Sequence, residues 1–167
     1  MKYLFLTILV GGMLAVSCTQ GKKSQSAKTN TTKSSSGTST AANSNEVSTG
    51  IAWTKSDRLA PVLENAQKLK KPVFLEFYAT WCGPCKVMDR EVFKKPEVYN
   101  YLNQHFISYH VDVDDTNGRA ISEIYEVTGM PTVVFVDPQG VVLERELGLI
   151  TMDRFKKVAA SALSKMK

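Results

Sequence analysis

Apolar residues are spread unevenly along this chain. An apolar run interrupted only by Thr7 occupies residues 3–10, residues 19–50 carry almost no apolar residues, and from residue 51 apolar positions recur in short periodic segments. Residues 51–53 predict a short first strand. Ser56 stands where an N-cap belongs, ahead of a helix whose Leu59, Val62, Leu63, Ala66 and Leu69 form one stripe, closed by Lys70, Lys71 and Pro72. Residues 73–78 are apolar, aromatic and β-branched apart from Glu76, the pattern of a strand buried on both faces. Helix is expected over 86–93 and, starting at Pro96, a separate short one over 96–102. Residues 106–113 predict a strand, 114–118 its turn, and 119–127 a helix. Residues 132–136 and 141–147, separated by Asp137, Pro138, Gln139 and Gly140, predict a hairpin. Thr151 then caps a last helix with Phe155, Val158, Ala159 and Leu163 inward. Alternating helices and strands followed by a hairpin and a helix imply the α/β class, with a mixed central sheet flanked by helices. A single domain over 51–167 follows, without internal repeats.

The two N-terminal regimes have different readings. Residues 1–17 resemble a secretory signal, with Lys2 as its basic start and an apolar core too short to span a bilayer comfortably. The small residues before Cys18 are similar to the lipobox of bacterial lipoproteins, in which the cysteine becomes the lipid-modified first residue of the mature chain. Ala15 departs from the leucine usual three positions before that cysteine. The alternative is an ordinary secretory signal with Cys18 a bystander thiol. Acyl chains at Cys18, at about 0.8 kcal/mol per buried CH₂, would hold the protein to a membrane without spanning it. Residues 19–50 are mainly Ser, Thr, Asn, Gly, Ala and Lys with hardly any apolar residue, too polar to offset the entropy of ordering, so 18–50 is expected to be a disordered tether. Its reach is about 30 Å.

Charge follows the same division. Lys2, Lys22, Lys23, Lys28 and Lys33 against Glu46 supply most of the net +5, leaving 16 basic and 15 acidic residues beyond position 50. The basic pI therefore belongs to the leader and tether, and no basic stripe marks the domain as a nucleic-acid binder.

The chemistry is carried by Cys82 and Cys85, placed where a buried strand hands over to a helix. A lone C-x-x-C also occurs in zinc ribbons, at haem attachment sites and by chance. Cysteines three apart in the first turn of a helix lie within disulfide range. Cys82, expected to be exposed, would face unpaired N–H groups and the positive end of the helix dipole, which favour its thiolate and make it the nucleophile. Pro84 costs little in a first turn, and Gly83 leaves the approach to Cys82 open. Cys85, deeper in the helix, is placed to attack a mixed disulfide at Cys82, an intramolecular step with an effective molarity of roughly 10⁵ M or more.

The segment from Trp81 through Cys82, Gly83, Pro84 and Cys85 to Lys86 resembles the active site of thioredoxins. Phe77, Tyr78, Ala79 and Thr80 are similar to the strand end before that motif, and Gly129, Met130, Pro131 and Thr132 to the family's cis-proline loop. The resemblance covers residues 51–163. Residues 91–101, inserted after the active-site helix, are more similar to the C-terminal periplasmic reductase domain of DsbD and its relatives than to cytosolic thioredoxin. It implies a thioredoxin-like fold, a cis Pro131 beside the cysteines, and Met130 presenting backbone to an extended substrate segment; the alternative for Pro131 is an ordinary turn proline. Trp81 reads as part of the rim that docks substrate, or as a core aromatic. Glu76 matches the position of a buried aspartate thought to relay protons to the second cysteine, a departure in length. Alternatively it is a strand residue reaching for the surface. His110, on the neighbouring strand, is a candidate partner for Glu76 or, as a lone strand histidine more often is, a structural residue, and His105 has no motif around it.

These readings combine into a thiol-disulfide oxidoreductase acting on extracytoplasmic protein disulfides as a reductase, lipid-anchored on the periplasmic side of the cell envelope. Protein thiol or disulfide clients and a membrane or soluble dithiol electron donor are the expected partners, with no cofactor, no metal, no nucleic acid and a monomeric state. Two cysteines supply half the usual zinc ligands, and Lys86 breaks the C-x-x-C-H haem signal. The rival readings are a non-catalytic thioredoxin-fold adaptor and a disulfide oxidase or isomerase.

Overall fold

A computed structural model describes residues 49–166. The expected signal segment, Cys18 and the tether up to residue 48 lie outside the described residues. The elements run α1 (Leu59–Leu69), β1 (Val73–Tyr78), α2 (Gly83–Met88), a π-helical turn (Asp89–Phe93), α3 (Pro96–His105), β2 (Ile107–Asp112), α4 (Thr116–Ile124), β3 (Thr132–Val136), β4 (Val142–Leu147) and α5 (Met152–Lys165). They build one mixed sheet in the order β2-β1-β3-β4, with β1 parallel to β2 and the other neighbours antiparallel. Among the described residues no helix is long and apolar enough to cross a membrane.

The alternation of side chains along β1 divides the core. Val73, Leu75 and Phe77 pack with Val62 and Ala66 of α1 and Ile121 of α4. Phe74 joins Met88, Val92, Phe93, Leu102 and Phe155 on the opposite face. Its ring lies 5.2 to 5.8 Å from those of Trp53, Phe93, Phe135 and Phe155, so truncation to alanine would cost about 3–5 kcal/mol. Glu76 shares Phe74's face of β1, which places a carboxylate in the layer that holds α2.

Several local expectations are corrected. The expected strand over 51–53 is a single bridge, Trp53 to Ser108, because Asn103 occupies the neighbouring backbone: its amide accepts from Ala52 N–H and donates to the Gly50 carbonyl. Ser56 does not cap α1. Arg58 is the cap, and the Ser56 hydroxyl closes a local turn by donating to the Arg58 carbonyl and accepting from its N–H. Leu69 is exposed, and Lys70 turns the chain out of α1 at φ 53°. The helix expected over 86–93 begins at Gly83 and becomes a π turn at Asp89, which lets Met88, Val92 and Phe93 all face the core. The helix from Pro96 continues to His105.

Residues 116–118, expected in a turn, already belong to α4. Gly118 permits this: a Cβ there would stand 1.7 Å from the Asp112 carbonyl oxygen, so α4 crosses β2 at a distance only glycine allows. In the hairpin, the Asp137 carboxylate accepts from the N–H groups of Gln139 and Val141, both at 2.9 Å, and Gly140 takes φ 86°. The second strand starts at Val142, beyond a register shift at Phe135 and Val136. Thr151 caps α5 by accepting from Arg154 N–H.

Candidate functional site

β1 ends at Tyr78, and four residues later the chain enters α2 with Cys82 as its N-cap residue. Cys82 and Cys85 are joined by a disulfide, with Cα atoms 5.3 Å apart. Cys82 Sγ accepts from the backbone N–H of Cys85 at 3.1 Å, the position an N-cap oxygen usually takes. Pro84 lies in the first turn, where its missing N–H removes no helical bond. A Cβ on Gly83 would meet nothing within 4 Å, so this position opens to solvent. The expected difference in exposure between the cysteines is absent: Cys82 is 3% and Cys85 4% exposed in the disulfide form. Ala79 is buried with the pair, and Tyr78, Val113 and Met130 close over it.

The Met130–Pro131 bond is cis, with Pro131 buried and Met130 packed against the cysteines. Thr132 donates its hydroxyl to the Gly129 carbonyl at 2.7 Å, and Gly148 N–H donates to the Pro131 carbonyl at 2.7 Å, tying the loop to the end of β4. Trp81 is 67% exposed, which rules out a core role, and its indole N–H donates to Asp114 Oδ2 at 2.8 Å. An apolar ring is thereby held in solvent beside Cys82.

Glu76 and Cys85 line one cleft of about 200 Å³, together with Trp53, Tyr78, Lys86, Asp89 and His110. The Glu76 side chain is 3% exposed, so it does not reach the surface, and its Oε2 lies 3.0 Å from His110 Nε2. Burial pushes the Glu76 carboxyl above its usual range; the hydrogen bond and charge of His110 oppose this and the negative Asp89 adds to it. The His110 ring is stacked between Tyr78, at 3.5 Å between centroids, and Trp53, at 4.6 Å. His105 sits at the end of α3 against Tyr101, apart from these groups.

A family model described as a thioredoxin-like domain matches residues 59–163. The chain belongs to the thioredoxin-like family. It is 37% identical over 86 residues to the thiol:disulfide interchange protein DsbD of Vibrio vulnificus strain CMCP6, a match covering 50% of this chain and 14% of that protein. The chain thus corresponds to a small part of its DsbD relatives. A 31% identical match to thioredoxin of Mycoplasmoides gallisepticum covers 58% of this chain and 89% of that one. Among solved structures, a thioredoxin from Thermus thermophilus superposes with a TM-score of 0.62 at 26% identity, covering 70% of this chain and 89% of the other. The oxidised C-terminal domain of DsbD from Neisseria meningitidis gives 0.52 at 30% identity, covering 63% and 93%.

In this thioredoxin-like domain Cys82 and Cys85 form a disulfide where β1 hands over to α2. Sequence reasoning missed Asp114, which orients Trp81, and the aromatic pair enclosing His110. Asp114 was legible only as a turn residue. Trp53, Tyr78 and His110 lie too far apart in the chain for any local pattern to link them.

Proposed function

We propose that this protein is an extracytoplasmic protein-disulfide reductase, secreted by residues 1–17, lipid-anchored at Cys18, and lifted from the membrane by a tether over 18–50, with the catalytic domain over 51–167. The observation that carries the catalytic part is the Cys85 N–H aimed at Cys82 Sγ, a donor that stabilises a thiolate there. In the reduced protein the Cys82 thiolate attacks a client disulfide, forming a Cys82–client bond and releasing one client thiolate. Glu76 accepts the proton of Cys85, whose thiolate attacks Cys82 Sγ. The Cys82–client bond breaks, the second client sulfur leaves with the electron pair, and the protein disulfide forms. The client gains two electrons and the protein loses them, to be restored by a membrane or soluble dithiol donor, with no bound cofactor. Trp81, Gly83, Pro84, Met130 and Pro131 form the docking surface for an extended client segment.

The reducing direction is supported by Gly83 and Pro84 between the cysteines, as in thioredoxins. The working unit is a monomer with no nucleic-acid role, on the periplasmic side of the envelope. Trapping tests the assignment. Full-length Cys85→Ser expressed in a host with lipoprotein processing should accumulate mixed disulfides in the membrane fraction, dissolved by reductant and absent from Cys82→Ser. Cys18→Ala should release the protein from membranes. Adducts forming equally on both cysteine variants would overturn the division of labour, and an unmodified mature terminus would overturn the anchor.

A further inference from the structure

We propose that His110 is a positioning residue of the exchange reaction, the route by which the proton that Glu76 takes from Cys85 reaches solvent. This rests on the reading of Glu76 as the acceptor of that proton. The geometry sets Glu76 apart from water and His110 between the two. The Glu76 side chain is 3% exposed, the His110 side chain 34% exposed, and 3.0 Å separates their facing atoms. Imidazole suits such a post because one ring nitrogen can take a proton while the other gives one up, near neutral pH. Stacking between Trp53 and Tyr78, with interplanar angles of 17° and 16°, holds the ring in the plane that keeps Nε2 on the carboxylate. Trp53 itself is fixed to the sheet by its bridge to Ser108, next to His110's own strand position.

The charged and titratable neighbours leave this path open. Facing the cleft are Cys85 and Lys86 from α2, Asp89 from the π turn and Tyr78 from β1, while Asp112 pairs with Tyr78 across the sheet. Burial and Asp89 both favour protonated Glu76, and the hydrogen bond and charge of His110 favour the carboxylate. The cleft, at about 200 Å³, is roomy enough for water between Cys85 and the carboxyl. In the resolving step the Cys85 proton passes to Glu76 Oε, from there to His110 Nε2, and the ring's other nitrogen yields a proton to solvent. No electrons move on this path. Glu76 ends as the carboxylate and His110 as the neutral Nε2–H tautomer, which regains its Nδ1–H form by proton exchange with solvent before the next turnover.

The test reads the two exchange steps separately. Reduced protein mixed with dithiobis-nitrobenzoate releases one coloured thiolate as Cys82 attacks and a second as Cys85 resolves. His110→Gln should leave the first phase at the wild-type rate and slow the second about tenfold or more below pH 8, with a rate that climbs with pH. His110→Ala should show the same loss, and imidazole added to the buffer should restore its second phase. Second phases that match wild type at every pH in both variants would overturn the proposal. Loss of both phases together, or a slow second phase that imidazole leaves slow, would also overturn it, reducing His110 to packing or hydrogen bonding. Glu76→Gln separates this from the parent reading: a slow second phase there beside normal His110 variants removes only the role of His110, whereas a normal Glu76→Gln removes both.

Discussion

The backbone N–H of Cys85 donates to Cys82 Sγ across 3.1 Å. The two cysteines are equally buried in the disulfide, so the asymmetry between them is electrostatic: one sulfur caps a helix and receives an N–H, and the other lies within the first turn. In the reduced protein Cys82 should therefore be alkylated about tenfold faster than Cys85 near pH 7. Mass spectrometry after a brief pulse of iodoacetamide measures this. Equal labelling of the two thiols would contradict the assignment.

Trp81 offers a second test, because its indole is held in solvent by Asp114 and buries nothing that the fold needs. Trp81→Ala should raise KM for a protein disulfide by about tenfold, the size of a lost interface anchor, with the unfolding midpoint almost unchanged. Reduction of a small disulfide, which has no segment to dock, should proceed as in wild type. Equal losses on both substrates would place Trp81 in the chemistry instead.

A third prediction contrasts two glycines. Gly118→Ala drives a methyl group into the Asp112 carbonyl and should cost about 3 kcal/mol or more in urea denaturation. Gly83→Ala, with open space around it at the start of α2, should change stability by less than about 1 kcal/mol. Similar costs at both positions would show that α4 can shift away from β2.

These two glycines also mark the boundary of what the chain made legible. The central strands, the hairpin and the cysteine helix could be read locally, since runs such as residues 73–78 and 132–136 have no exposed alternative and the Asp137 turn carries its own side-chain bonds. The start of α4 could not, because Gly118 breaks helices in isolation and is tolerated here by contact with a strand that precedes it by six residues. Ser56 has the right identity for a cap, yet it closes a turn ahead of the helix. At the site, Cys82, Cys85 and the loop at Pro131 were visible as motifs. The enclosure of His110 by Trp53 and Tyr78, and the anchoring of Trp81 by Asp114, depend on register between β1, β2 and the loop after β2.

Glu76 gives a pH signature of its own. Burial raises its carboxyl above the ordinary range, so the folded state binds this proton more tightly than the unfolded chain does. Its stabilising contribution is complete below the unfolded value of about 4.3 and is lost as pH rises through the folded value. Glu76→Gln removes that loss, and the variant should become increasingly more stable than wild type from about pH 5 upward, converging with it near pH 4. Denaturation curves across this range supply the comparison. A stability difference independent of pH would mean that the carboxyl does not change its proton affinity on folding.

The direction of electron flow depends on how strongly the Cys82 thiolate is stabilised. Among the described residues the donor to Cys82 Sγ is the Cys85 N–H, and the nearby Lys86 is exposed, where its charge is screened. A strong oxidant such as DsbA, near −120 mV, stands about 150 mV above thioredoxin near −270 mV, a gap of about 7 kcal/mol for two electrons. One backbone hydrogen bond to an ionised group supplies about 1.5–3 kcal/mol, too little to cover that gap. The potential should accordingly fall below about −200 mV, with efficient reduction of insulin-like disulfides and poor oxidation of reduced clients. Equilibration with glutathione buffers of graded composition measures it directly, and a potential near that of DsbA would make the protein an oxidase.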